Sequence, residues 1–274
     1  MAADAGPLIV LNAPNGARKS SADHRKLPIT PAELADCAKA ILDAGAALMH
    51  VHVRGTKGEH TLDTDSYRVA LAAIRDAVGE RLVMQVTSEA CGIYDAGAQM
   101  AMVRELRPEA VSLALKELCP DDSRESDAAQ FFAWVDRERI MPQYILYTPD
   151  EVRRFENFRA RGIVGTEKPF VLFVLGRYSD SQLGDVAELP RYVEALAADT
   201  CWSVCSFGVS EHAAVEAAIA AGGHVRVGFE NNLQREDGTM AADNAELVAL
   251  AAAKGIAAGR QPMTADEVRE AFLA

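Results

Sequence analysis

Aromatic residues, positive charge and long apolar runs are all scarce in this sequence. Aromatics make up 6% of the 274 residues while hydrophobic residues reach 49%, which favours a core of small aliphatic side chains on buried parallel strands. The net charge of −12 at pH 7 argues against general binding to nucleic acid or to anionic membranes. A local basic patch for an anionic cofactor stays possible.

Disulfide, redox and targeting patterns are missing as well. The five cysteines are an odd number without a CxxC pair, which is typical of reduced thiols in a reducing compartment. Cys201 and Cys205 are spaced to share a strand face, but a metal or redox role would need further partners. Residues 1–7 lack a basic leader, and no apolar run is long enough to span a membrane. We therefore expect a soluble, cytoplasmic protein without a membrane partner.

Apolar strand patterns alternate regularly with helical ones along the chain. The strands are expected at residues 8–14, 47–53, 82–88, 110–115, 140–147, 170–176, 201–208 and 224–231. Helices are expected at residues 31–45, 64–78, 95–106, 124–137, 149–161, 184–197, 210–221 and 244–254. Eight such units predict a single (β/α)8 TIM barrel over residues 1–274, with a short tail helix from about residue 264. An open doubly wound sheet is the alternative, but the first βα turn lacks the G-x-G-x-x-G of a dinucleotide site.

The second strand carries two histidines that point to one face, because side chains alternate along a strand. These are His50 and His52. On the eighth strand Arg226 and Glu230 share one parity while the apolar residues take the other, so the polar pair is expected to face the barrel axis. In a closed barrel Glu230 can then join the two histidines as a third zinc ligand. Two His and one carboxylate leave an open position, as in catalytic zinc sites, where the ion polarises a carbonyl and stabilises an enolate.

Further polar residues follow the other strands at the end where barrel enzymes build their active sites. They include Asn15, Gln85, Thr87, Ser88, Ser112, Tyr144, Tyr147 and Arg177, and of these we expect Asn15 and Tyr144 at the substrate. Glu89 lies at the same mouth, and a buried Arg226 would need a carboxylate or an anionic ligand beside it. The other histidines, at 24, 60, 212 and 224, receive no role.

Three other barrel chemistries fit the residues less well. Metal-dependent amidohydrolases place HxH on the first strand and take further His from later strands. Lyases of the hydroxymethylglutaryl-CoA type need an Asp-Arg pair where this chain has Asn12-Ala13-Pro14-Asn15. For a Schiff-base aldolase only Lys116 lies at the right end of a strand.

Several runs together resemble the β-keto acid cleavage enzymes (3-keto-5-aminohexanoate cleavage enzyme-like). These runs are Asn12-Ala-Pro-Asn-Gly-Ala17, Thr30-Pro-Ala-Glu33, Ala44-Gly-Ala-Ala-Leu-Met-His50-Val-His52-Val-Arg54 and Gly222-Gly-His-Val-Arg226-Val-Gly-Phe-Glu230-Asn-Asn232. The resemblance covers residues 8 to about 255. It implies a zinc-dependent barrel that assembles as a homo-oligomer (dimer or tetramer).

The same resemblance implies the reaction and the roles of residues. A β-keto acid and acetyl-CoA give acetoacetate and a new acyl-CoA, through a zinc-bound enolate and retro-Claisen cleavage. His50, His52 and Glu230 would be the zinc ligands, and Arg226 would be the charged partner near the reacting carboxylate. Thr87, Ser88 and Ser112 would contact the substrate. No CoA-binding motif is recognisable in the sequence itself.

The chain departs from the family at the expected base. Asn231 stands where the family usually has an Asp that works with Arg226, and an amide is no base at neutral pH. We expect Glu89 or Tyr144 to replace this Asp as the base. Arg226, Asn231 and Glu89 are the residues we expect to act at the reacting groups. Three of the eight loops also differ from the family pattern. The charge of the substrate's side chain stays open, because Glu89, Glu117 and Asp121-Asp122 suggest a cationic group whereas Arg177 suggests an anionic one.

Two other functions stay open at this point. Asn231 favours a non-catalytic sensor that binds zinc with a keto acid or acyl-CoA. A zinc-enolate lyase or aldolase that does not use CoA is the third hypothesis.

Overall fold

Eight parallel strands form a closed barrel, in the computed structural model of residues 6–165, 169–179 and 183–273. The ten strands, two of which form a separate hairpin, are β1 (Val10–Asn12), β2 (Leu48–Val51), β3 (Val53–Arg54), β4 (His60–Thr61), β5 (Val83–Thr87), β6 (Ala110–Ala114), β7 (Met141–Leu146), β8 (Phe170–Leu175), β9 (Cys201–Ser206) and β10 (His224–Val227). Around the barrel the order is β1-β10-β9-β8-β7-β6-β5-β2, and β3 pairs with β4 outside it. The predicted (β/α)8 barrel is confirmed.

Helices follow the barrel strands and surround them. They are α1 (Pro31–Asp43), α2 (Thr64–Val78), α3 (Ala96–Leu106), α4 (Leu115–Leu118), α5 (Glu125–Arg137), α6 (Pro149–Ala160), α7 (Leu189–Ala195), α8 (Glu211–Ala220), α9 (Asn244–Ala257) and α10 (Ala265–Leu273). The start of α1 shows why such boundaries can be read from sequence. Thr30 Oγ1 accepts from Glu33 N at 3.3 Å, and Glu33 Oε2 accepts from Thr30 N at 2.9 Å, so both free amide groups are satisfied.

The tail helix α10 closes the amino-terminal end of the barrel. Its buried Ala265 and Val268 join an apolar cluster with residues from the starts of the strands, among them Ile9, Met141 and Phe170. The stacked rings of Phe170 and Phe272 lie with centroids 5.0 Å apart. This end of the barrel is therefore packed core, which leaves the carboxyl ends of the strands for a binding site.

Several element boundaries differ from the sequence-based expectation. The eighth strand stops at Val227, and the polypeptide turns at Gly228, whose φ is +135°. The second strand is interrupted at His52 before the β3–β4 hairpin begins. The helix expected at residues 184–197 is reduced to a short 3-10 turn and α7. In the described part of the chain, no helix is both long and apolar enough to cross a membrane.

Candidate metal centre and substrate pocket

His50, His52 and Glu230 meet at the carboxyl-terminal end of the barrel. His50 Nε2 lies 3.1 Å from His52 Nε2, and Glu230 Oε2 lies 3.6 Å and 3.4 Å from these two nitrogens. A tetrahedral ion with bonds of 2.0–2.1 Å needs ligand atoms about 3.3 Å apart, close to all three distances. Glu230 Oε2 is buried and accepts no hydrogen bond from the described residues. These donors therefore fit a zinc ion, with room for a further ligand.

A hydrogen-bond chain across the barrel interior fixes the tautomer of His50. At its far end the Val171 carbonyl can only accept, so Ser203 Oγ donates to it at 3.4 Å and in turn accepts from Gln143 Nε2 at 3.1 Å. Gln85 Nε2 then donates to Gln143 Oε1 at 3.2 Å, leaving Gln85 Oε1 to accept from His50 Nδ1 at 2.8 Å. The proton of neutral His50 thus sits on Nδ1, and the Nε2 lone pair is directed at the cluster. This is the arrangement that metal-binding histidines use.

Glu230 reaches the histidines from a turn after β10, where Gly228 interrupts the strand. Its backbone N donates to Ala13 O at 3.0 Å, which joins this turn to the loop after β1. Gly16 in that loop has φ +62°, and a Cβ there would lie 2.5 Å from Glu230 Cγ. The Arg54 guanidinium donates to the carbonyls of Gly16 and Lys19 and holds the loop in place. Glycine at position 16 is what leaves room for the Glu230 side chain.

Arg226 stabilises the ionised form of Glu230. Its Nη2 donates to Glu230 Oε1 at 3.0 Å, and its side chain is 3% exposed. Burial by itself would raise the pKa of Glu230, but Arg226 and the two histidines lower it well below the usual range. Burial also lowers the pKa of His50 to about 3. A carboxylate and a neutral imidazole are the protonation states in which these side chains bind metal.

A narrow pocket opens beside this cluster. In addition to the metal-binding set and Arg226, it is lined by Thr87, Glu89, Ser112, Ala114, Ile145, Tyr147, Val174, Arg177 and Phe207. Ser112 Oγ is buried and has no hydrogen-bond partner among the described residues. A bound ligand could satisfy it.

The other predicted substrate residues lie at varying distances from this pocket. Ser88 Oγ donates to Ser112 O at 3.0 Å, so it supports the neighbouring strand and does not line the pocket. Asn15 lines an adjoining groove, and its Nδ2 donates to His52 O at 3.0 Å. Asn231 lies beside Arg226, with Oδ1 3.4 Å from Arg226 Nη2, while its buried Nδ2 has no partner among the described residues.

The expectation that Tyr144 faces the substrate is wrong. Its ring packs at 5.4 Å against Phe132 of α5 and at 5.2 Å against Phe155 of α6. It therefore lies on the helix side of β7, and its neighbours Gln143 and Ile145 take the inward positions. Burial raises the pKa of Tyr144 far above its ordinary value, so it is also no base.

Glu89 is held by two arginines at the mouth of the pocket. Its Oε1 accepts from Arg177 Nη2 at 2.9 Å and lies 3.4 Å from Arg18 Nη1. The ion pair thus links the loops that follow β1, β5 and β8. Because Glu89 and Arg177 pair with each other, neither residue by itself indicates the charge of the substrate.

Sequence reasoning gave no role to several residues that shape the site. Gln85 lies on β5 and Tyr147 directly follows β7, and inward parity relative to their buried neighbours is the signal that could have selected them. His60 was expected to have no role. Its ring lies 5.7 Å from that of His52, and its Nε2 is 2.8 Å from Glu89 O, a contact between distant segments that no local pattern reveals.

Fold and site together define a (β/α)8-barrel protein with a candidate metal centre at the carboxyl ends of its strands. The family described as beta-keto acid cleavage enzyme matches residues 7–273. The chain belongs to this family.

Relatives of known function agree with this assignment, and a solved structure shares the fold. The chain is 27% identical to the 3-keto-5-aminohexanoate cleavage enzyme of Fusobacterium nucleatum, over 96% of either protein. It is also 27% identical to the 3-oxoadipate:acetyl-CoA acetyltransferase of Cupriavidus necator, over 96% of this chain and 93% of the relative. The apo structure of ObcA has a TM-score of 0.71 at 18% identity, covering 90% of this chain and 65% of that one, a likeness in fold.

Proposed function

We propose that this chain is a zinc-dependent enzyme that converts a β-keto acid and acetyl-CoA into acetoacetate and a new acyl-CoA. The observation that carries the proposal is the cluster of His50, His52 and Glu230 in a chain of this family. The names of the relatives support the co-substrate, since one of them is an acetyl-CoA acetyltransferase. A cytoplasmic homo-oligomer is part of the same proposal.

Within the pocket, the residues have distinct tasks. His50, His52 and Glu230 would hold zinc, which when bound polarises a carbonyl oxygen and stabilises the negative charge that develops on it. Thr87 and Ser112 line the pocket with hydroxyl groups that can donate to the carboxylate of the keto acid. Arg226 keeps Glu230 ionised and adds positive charge beneath the reacting group.

The reaction needs a base at the α-carbon of the keto acid. Asn231 cannot accept this proton, and Tyr144 lies outside the pocket, so Glu89 is the carboxylate we assign to the step. Loss of the proton leaves an enolate whose α-carbon bonds to the acetyl carbonyl, and the CoA thiolate departs. The thiolate then bonds to the original keto carbon, and the carbon–carbon bond between that carbon and the α-carbon breaks. Reprotonation of the α-carbon yields acetoacetate, and the remaining acyl group leaves as its CoA ester.

Metal analysis of the wild type and His50→Ala tests the metal centre. We expect about one zinc per wild-type chain and its loss from the variant, because a ligand is removed. Acetoacetate formation from β-keto acids and acetyl-CoA should disappear with the metal. Equal metal content in the two proteins would remove the central claim.

Replacement of Glu89 by Gln tests the base. We expect kcat to fall by about 10²–10⁴-fold, as for removal of a general base, with zinc content unchanged. Glu270→Gln, on the exposed face of α10 at the opposite end of the barrel, is the matched control. If Glu89→Gln turns over at the wild-type rate, Glu89 is not the base.

Asn231 favours a second candidate function, a sensor that binds zinc and a keto acid or acyl-CoA without turnover. It places an amide beside Arg226, where a carboxylate would otherwise be available as a base. Tight binding of these ligands to the metal-loaded protein, with no acetoacetate formed from any keto acid, would favour the sensor. Cleavage of a keto acid in the absence of acetyl-CoA would instead indicate a CoA-independent lyase or aldolase.

A further inference from the structure

We propose that the substrate of this enzyme is a β-keto acid with a short, uncharged aliphatic substituent. The inference rests on the proposed function and adds the chemical class of the group attached to the keto carbon. It is carried by the apolar surface that faces the metal-binding cluster across the pocket.

This apolar surface consists of Ala114, Ile145, Val174 and Phe207. They come from the carboxyl ends of four neighbouring barrel strands, β6 to β9, so they form one continuous side of the pocket. Leu172 and Cys205 belong to the same cluster and complete its packing. Phe207, the most exposed member, is only 9% exposed, so the surface is closed to bulk solvent.

The charged groups around the pocket are engaged with one another. Glu89 accepts from Arg177 at 2.9 Å, and the guanidinium carbon of Arg177 lies 5.5 Å from the centroid of the Phe207 ring. A substrate carboxylate would have to displace Glu89 from Arg177, and a substrate ammonium would have to displace Arg177 from Glu89. Each exchange breaks the ion pair between two side chains that are largely shielded from solvent, which opposes the binding of a charged substituent.

The acidic residues on the β6 side are engaged as well. Glu117 Oε2 accepts from Ala90 N at 2.9 Å, and Asp121 Oδ1 accepts from Ser123 N at 2.9 Å. The Lys116 ammonium lies 4.1 Å and 3.4 Å from the ring centroids of Tyr147 and Tyr178. Glu89, Glu117, Asp121 and Arg177, which left the charge of the substituent open in the sequence, therefore have protein partners, and the surface beside the cluster is apolar. An alkyl group gains from contact with this surface, whereas a charged one would be buried against it unpaired.

Three keto acids of equal chain length test the proposal. They are 3-oxohexanoate, which ends in a methyl group, 3-oxoadipate, which ends in a carboxylate, and 5-amino-3-oxohexanoate, which carries an ammonium. We expect kcat/KM of the metal-loaded wild type with acetyl-CoA to be at least about tenfold higher for 3-oxohexanoate than for either charged acid. The dissociation constants of the three acids, measured without acetyl-CoA, should follow the same order.

A variant that places a charge on the apolar surface should reverse part of this preference. Ile145→Glu should shift the kcat/KM ratio of 5-amino-3-oxohexanoate to 3-oxohexanoate by at least about tenfold towards the amino acid, because the new carboxylate can pair with the ammonium. Val69→Glu makes the same kind of change at a position on α2 that is 58% exposed, and should leave the ratio unchanged. Circular dichroism and zinc content show whether Ile145→Glu retains the fold.

The two proposals fail in different ways. Preferred turnover or tighter binding of either charged acid by the wild type would overturn the inference while leaving the proposed function intact. Absence of turnover with all three acids, combined with tightest binding of 3-oxohexanoate, would contradict the proposed function and support the inference about the pocket. If Ile145→Glu folds and binds zinc but keeps the wild-type ratio, the apolar surface does not select the substituent, and the inference is wrong.

Discussion

Gln85 decides which nitrogen of His50 carries the proton, although it is not itself one of the candidate zinc ligands. Its Oε1 accepts from His50 Nδ1, and its own amide group is held by Gln143. Gln85→Leu removes the acceptor, so the imidazole loses both its fixed tautomer and its fixed orientation. We expect the dissociation constant for zinc to rise by about 10–100-fold, as for loss of other partners of metal-binding histidines. Competition with a chromophoric chelator measures this constant.

Gln130→Leu is the matched control for this change. Gln130 lies exposed on α5, so the same substitution there should leave zinc binding unchanged. Wild-type zinc affinity in Gln85→Leu, with the fold retained, would show that the hydrogen-bond chain has no influence on the metal centre.

At the scale of elements, the loop after β1 has to leave room for the turn after β10. In Gly16→Ala the new methyl group would lie 2.5 Å from Glu230 Cγ, and the residue would keep a left-handed φ. We expect the Glu230 side chain to be displaced and zinc affinity to fall at least about tenfold, with a loss of stability of about 1–2 kcal/mol from the backbone strain. Zinc titration and denaturant unfolding of the metal-free protein separate the two effects.

Gly238→Ala distinguishes strain from collision. Gly238 has φ +81° but no atom within 4 Å of the Cβ position, so this variant should lose similar stability and keep its zinc affinity. Should both variants bind zinc equally well, Gly16 would not be needed to accommodate Glu230.

The order of elements was predictable because helix and strand periods differ and good N-caps mark the helices. Side-chain direction was predictable only where a strand mixes polar and apolar residues. On β10, the apolar Val225 and Val227 indicated which face of the strand packs against the helices. Arg226 was therefore correctly expected to face inward, where it pairs with Glu230. Strand β7 is buried along its whole length, so its residue pattern did not indicate which side chains face the barrel axis. Tyr144 was therefore expected on the wrong face of the strand.

Contacts between distant segments could not be predicted either. The alternation of side chains along the strand was assumed to continue through Gly228 to Glu230, but the strand ends at Val227. Glu230 reaches the histidines because of the turn that follows, and the sequence did not indicate that turn. The pairing of Gln85 with Gln143 depends on the register of β5, β6 and β7, which only the assembled barrel sets.

On the scale of the whole molecule, the barrel has a stabilising end and a binding end. Val268 of α10 is fully buried in the cluster at the amino-terminal end. We expect Val268→Ala to lower the free energy of unfolding by about 1–3 kcal/mol, because methyl groups are lost from a packed core. Zinc affinity should stay at the wild-type value, since the cluster lies at the opposite end. Denaturant unfolding of the metal-free protein and zinc titration measure the two quantities.

Val69→Ala is the control, because it removes the same atoms from an exposed position on α2. It should change stability by less than about 0.5 kcal/mol. A large loss of zinc affinity in Val268→Ala would show that the two ends are coupled through the barrel.

The closure of the barrel by α10 has a kinetic consequence. Because this end is filled, the described path to the pocket runs through the mouth at the carboxyl ends of the strands. In the proposed reaction both reactants share this passage, and the smaller keto acid occupies the inner part. It should therefore enter first, and acetyl-CoA should follow behind it. Acetoacetate would be trapped until the new acyl-CoA withdraws, so initial-rate and product-inhibition patterns should show compulsory order.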